Sequence, residues 1–140
     1  MNSTNAKHDH HPFAQLRGFE ASRLRGFEVN NRIKGESICT IEHHQKLNNP
    51  NNVIHGGVIY SLADTGMGAA ITSILARGER CATIEIKITY LSAAGPFGLI
   101  CHCRVLKKGS RVAMLESEVF SNDLLVAKAS GSFAMFAARK

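Results

Sequence analysis

The chain has 140 residues, a net charge of +6 and 44% hydrophobic residues, enough for one domain with a real core. Its hydrophobic and charged fractions are those of an ordinary globular protein, and no apolar run is long enough to span a membrane. The basic residues are dispersed, apart from small clusters such as Arg23/Arg25 and Lys107/Lys108/Arg111, and there are seven Phe, two Tyr and no Trp. This excludes the basic stripe with interleaved aromatics expected of a nucleic-acid binder, and it suits a phosphate-bearing small molecule better.

Met1–His11 is polar and lacks the apolar core of a signal peptide, so a disordered tail and a cytoplasmic location are expected. The His8, Asp9, His10, His11 group reads as part of that tail rather than as a metal site. Residues 12–140 read as a single domain. Phe13, Leu16, Phe19 and Leu24 predict a short helix within Phe13–Phe27, weakened by Gly18. Phe27–Ile33 and Glu36–Glu42 predict two strands around a Lys34-Gly35 turn. Asn48–Asn52 is a loop, because Asn and Pro favour turns.

Gly56 to about Ala76 predicts the one long helix, with an apolar stripe at Ile59, Ala63, Met67 (or Gly66), Ala70 and Ile74. Gly66, Gly68, Ala69 and Ala70 make it thin, which permits close packing on a sheet. Gly78 is the expected C-cap. Thr83–Tyr90 alternates polar and apolar almost perfectly, as a strand with one buried face does. Leu99–Lys107, Val112–Ser121 and Leu124–Phe136 predict three more strands, joined by turns at Lys108-Gly109-Ser110 and Ser121-Asn122-Asp123. The expectation is α+β: two strands, a long helix, then an antiparallel meander of four, with the helix packed on a curved sheet. Cys39, Cys81, Cys101 and Cys103 fall in apolar or alternating runs, as buried free thiols do, and their spacing does not suit zinc.

The chemistry concentrates at His55-Gly56-Gly57, followed nine residues after the histidine by Asp64. A helix N-terminus carries unpaired N–H groups and partial positive charge. Glycine there allows close approach. An acid on the same helix among small apolar residues is a candidate base or nucleophile. Together they point to oxyanion chemistry on a carbonyl.

This order of elements, with His-Gly-Gly opening the helix, resembles the hotdog fold. More narrowly it is similar to the phenylacetate-pathway (PaaI-like) branch of hotdog acyl-CoA thioesterases. The similarity rests on Asn49 six residues before His55, the glycine pair, Asp64, and Thr83-Ile84-Glu85-Ile86-Lys87-Ile88-Thr89-Tyr90 after the helix, and it covers roughly Asn48–Phe136. The resemblance implies hydrolysis of an acyl-CoA to a carboxylic acid and CoA. It also implies a homodimer, usually paired into a homotetramer, with sites at the subunit interface. Geometry argues the same way: Gly56 and Asp64 lie eight residues apart on one helix, about 12 Å along its axis. If both act on one carbonyl, the acid comes from a second copy.

In this reading the Gly56 N–H meets the thioester oxygen. Asp64 activates water as general base or attacks as nucleophile. Asn49 orients the water or the acid, and His55 holds the loop or polarises the carbonyl. Thr83 stands where the family often has a serine or threonine that positions water. Gly57, Ile59, Tyr60, Met67 and Ile71 are candidate substrate contacts, and Lys107, Lys108 and Arg111 are candidates for the CoA phosphates. No metal or redox cofactor, nucleic acid or membrane insertion is expected. The competing readings are a hotdog hydratase or dehydratase, and a non-catalytic acyl-CoA binder.

Overall fold

The computed structural model describes residues 28–30 and 33–139. The predicted tail at 1–11 and helix at 13–27 lie outside the described residues. Among them, the elements in chain order are β1 (Glu28–Asn30), β2 (Glu36–Ile41), α1 (Gly56–Thr72), β3 (Glu79–Tyr90), β4 (Leu99–Lys108), β5 (Val112–Ser121) and β6 (Leu124–Ala137). No described helix is long and apolar enough to cross a membrane.

The six strands form one antiparallel sheet in the order β1-β2-β4-β5-β6-β3. β4, β5 and β6 are a meander, as expected. β3 departs from the expectation: it is not beside β4 but at the far edge, with Tyr90 opposite Ala127 and Glu79 opposite Ala137 on β6. Alternation along a strand fixes which face is buried, and nothing in it selects the neighbour. β3 is also longer than its alternating core, beginning at Glu79 rather than Thr83.

α1 packs across one face of this sheet. Val58, Leu62, Met67 and Ile71 of the helix meet Cys39, Leu99, Cys101, Leu115, Val119 and Phe133 of the strands in one buried cluster. Each large apolar side chain buried in this way contributes roughly 1.5–3 kcal/mol. Gly66 lets the helix settle: a Cβ there would stand 2.6 Å from the Cys103 Sγ. The carbonyl of Gly66 accepts a 2.6 Å hydrogen bond from the buried Ser37 hydroxyl on β2.

The helix is shorter than the expected Gly56–Ala76. It stops at Thr72 because Ser73 caps it. The Ser73 hydroxyl donates to the Ala70 carbonyl (2.7 Å) and accepts from the Gly35 N–H (2.7 Å), tying the helix end to the β1–β2 turn. Gly78, at φ +84°, serves the tight turn into β3, where the Glu79 N–H meets the Ala76 carbonyl. The four cysteines are free thiols. Cys39, Cys101 and Cys103 are buried as expected, and Cys81 is only half-buried. Burial, with the neighbouring Cys103 thiol, pushes Cys39 up to about 11, so it stays protonated and inert.

Candidate active site

The start of α1 is held from several sides. The Ile54 N–H bonds the Ala94 carbonyl at 3.0 Å, and the His55 N–H bonds the Leu47 carbonyl at 2.8 Å. The preceding loop is fixed by its asparagines. Asn48 is buried, bonding Asn52 through its amide N–H₂ and His43 through its amide oxygen. The Asn49 side-chain oxygen accepts from the Asn51 and Val53 N–H groups. Asn52 takes the left-handed conformation at φ 61°, which asparagine tolerates better than most residues. Asn49 therefore spends its amide oxygen on the loop, and only its N–H₂ is left for a ligand.

His55 is the N-cap. Its Nδ1 accepts from the Gly57 N–H at 2.8 Å. Burial lowers its pKa below the usual 6.5, which keeps the ring neutral and able to accept. The Val58 N–H bonds back to the His55 carbonyl at 2.9 Å. Of the first-turn donors at residues 56, 57 and 58, the Gly56 N–H alone has no acceptor among the described residues. It borders a cleft of about 370 Å³ lined by Ile54, Gly56, Ile59, Tyr90 and residues 91–94. The neighbour that sequence reasoning passed over is Tyr90. Its hydroxyl donates to the Gly56 carbonyl at 2.7 Å, and its ring packs closely on position 56, where a Cβ would stand 3.2 Å from ring and hydroxyl and push the ring aside by a few tenths of an ångström. The strand alternation held the signal: Ile86, Ile88 and Tyr90 share one face of β3.

Two turns further along, half-buried Asp64 meets the same edge strand, with the Thr83 hydroxyl donating to its Oδ1 at 2.7 Å. Two residues predicted separately are thus brought together. Gly56 and Asp64 are not: each lies against its own part of β3, with Tyr90 beside the first and Thr83 beside the second.

The remaining predicted contacts scatter. Tyr60 is 37% exposed, one turn from Gly56 on the same side. Ile59 is buried at the edge of the cleft. Met67 and Ile71 are fully buried in the core of the single chain, Met67 against Gly131. Lys107, Lys108 and Arg111 are exposed at the other end of the sheet, where Lys108 pairs with Glu79, the first residue of β3, at 3.6 Å.

Residues 51–128, more than half of the chain, match the thioesterase superfamily. The chain belongs to that family. This thioesterase is 37% identical over 110 residues to a protein of Saccharolobus solfataricus provisionally named an esterase, covering 76% of each chain. It is 32% identical over 123 residues to a similarly named protein of Halobacterium salinarum, covering 79% of this chain and 81% of the other. A conserved protein of Pseudomonas aeruginosa superposes with a TM-score of 0.77 at 35% identity, covering 82% of this chain and 92% of that one. A Bacillus halodurans protein solved with CoA superposes with a TM-score of 0.73 at 27% identity, covering 80% and 75%. The phenylacetic acid degradation protein PaaI of Thermus thermophilus, in a mutant form, shares the fold at a TM-score of 0.71 and 24% identity, covering 78% and 92%. The α+β hotdog fold expected from the sequence is the fold observed, and the protein is a thioester hydrolase.

Proposed function

We propose that this thioesterase hydrolyses acyl- or aryl-CoA thioesters, in the manner of the PaaI-like branch, at a site shared between two copies of the chain. The observation that carries the reading is the pairing of an unengaged Gly56 N–H at a helix start with Asp64 too far along the same helix to reach one carbonyl alone. The eight helical steps between them span about 12 Å. An antiparallel second helix would bring its Asp64 to this Gly56. The CoA found with the Bacillus halodurans relative supports a CoA thioester as substrate.

In this reading the thioester oxygen sits against the Gly56 N–H. That N–H and the helix dipole stabilise the negative charge that develops on the oxygen. The partner's Asp64 takes a proton from water as the water attacks the carbonyl carbon, or attacks it directly to form an anhydride that water then opens. Collapse of the tetrahedral intermediate breaks the C–S bond, and the CoA thiolate leaves. Thr83 keeps the Asp64 carboxylate oriented through Oδ1, leaving Oδ2 for the reaction. In the same reading the Asn49 N–H₂, its amide oxygen being used by the loop, is a further donor to the water or the acid, and His55 holds the donor loop.

The test is thiol release from short-chain, long-chain and aromatic acyl-CoAs. Wild-type protein turns over at least one of them, and Asp64→Asn loses about 100-fold or more of the rate while keeping its fold and oligomeric state. No turnover on any of them, or an Asp64→Asn variant as fast as wild type, overturns the reading.

A further inference from the structure

We propose that Tyr90, the last residue of β3, is a positioning residue for the oxyanion donor, an inference that rests on the thioesterase reading above. Two side chains grip the peptide between Gly56 and Gly57 from opposite ends. The His55 Nδ1 takes its N–H at 2.8 Å, and the Tyr90 hydroxyl gives a hydrogen bond to its carbonyl at 2.7 Å. That peptide plane is held at both ends, and the adjoining peptide, which carries the Gly56 N–H, is held through its own carbonyl by the Val58 N–H at 2.9 Å, so the direction of the donor is set. Transition-state stabilisation by a backbone donor depends on such prior orientation, because a donor that must reorient during the reaction loses much of its effect.

The grip is built for contact rather than incidental. The Tyr90 ring comes close enough to Gly56 that a Cβ there would stand 3.2 Å from both Cζ and Oη. The glycine of the motif therefore answers to Tyr90 as well as to substrate. Burial raises the phenol's pKa above its usual 10, so the hydroxyl stays a donor at any working pH. Tyr90 also carries the edge strand to the helix start. The strand that holds Asp64 through Thr83 therefore holds the oxyanion donor through Tyr90, and one element sets both halves of the site.

The deciding variant is Tyr90→Phe, which keeps the ring against Gly56 and removes only the hydroxyl. The expected result is a fall in kcat of about three- to tenfold, the worth of one hydrogen bond, with KM changed by less than about twofold and the melting temperature nearly unmoved. A substrate-contact role would raise KM instead, and a purely structural role would lower the melting temperature with kcat per folded enzyme intact. Either outcome, or an unchanged kcat, overturns the proposal while leaving the thioesterase reading standing. A wild-type protein without turnover overturns both. The second arm is Gly56→Ala in two backgrounds. It costs more rate in wild type than in Tyr90→Ala, because the new methyl group then has no ring to meet. Equal losses in both backgrounds argue that Gly56 serves substrate approach alone and overturn the coupling.

Discussion

His55 acts at the start of α1 as an acceptor, and that role depends on its charge. Protonating the ring would turn Nδ1 into a donor facing the Gly57 N–H at 2.8 Å. Burial already lowers its folded pKa below 6.5, so the folded state holds the proton more weakly than the unfolded chain. Its contribution to stability is therefore complete above about pH 6.5 and is lost as pH falls through the folded value. The melting temperature should drop between pH 7.5 and pH 5, and the drop should be smaller in His55→Asn, which keeps a good N-cap without a titrating ring. An equal drop in both proteins would place the pH sensitivity elsewhere. The same pH range should lower kcat, since the loosened cap is one of the two grips on the oxyanion peptide.

Along α1 the glycines are not equivalent, although the sequence presents Gly66, Gly68, Ala69 and Ala70 as one thin stretch. A Cβ at Gly66 would press on Cys103 at 2.6 Å, whereas at Gly68 it would meet only Phe133 at an ordinary 3.8 Å. Alanine gains about 1 kcal/mol of helix propensity at either position, and overpacking costs about 1–3 kcal/mol. Gly68→Ala should thus raise stability by up to about 1 kcal/mol, and Gly66→Ala should lower it by about 1 kcal/mol. Urea denaturation of the two variants checks the opposite signs, and adding Cys103→Ala to Gly66→Ala should recover part of the loss. Much of this level was legible beforehand: apolar spacing located α1, and turn residues located the hairpins. Asn122 and Asp123, both at positive φ, form the two-residue turn their residue types favour. What stayed hidden were contacts between elements distant in sequence. Their residue types mark Thr83 and Asp64 as candidates but not their bond, and alternation marks Tyr90 as a strand end but not as the partner of Gly56. Periodicity shows the face that a residue occupies, and only the position of β3 beside the helix decides what that face touches.

At the scale of the whole molecule, β3 is a twelve-residue strand at the end of the sheet order, bonded among the described residues on one side by β6. Long edge strands invite pairing with another chain, and β3 holds both halves of the proposed site on α1 through Tyr90 and Thr83, so a second copy pairing along this edge would set two such sites facing one another. The shared site has a consequence that a site within one chain lacks. Gly56→Pro removes the N–H at the first helical position, where proline suits the helix backbone and its ring displaces the half-exposed Tyr90 side chain, and Asp64→Asn removes the acid, so each homodimer should be inactive. In a heterodimer, purified by two different tags, one site joins two intact halves: the Gly56 of the Asp64→Asn chain and the Asp64 of the Gly56→Pro chain. The other site holds both lesions. That heterodimer should recover about half of the wild-type thiol-release rate, one working site of the two that twofold symmetry provides. If Gly56 and Asp64 served one carbonyl within a single chain, each subunit would carry a broken site and the mixture would be as inactive as its parents.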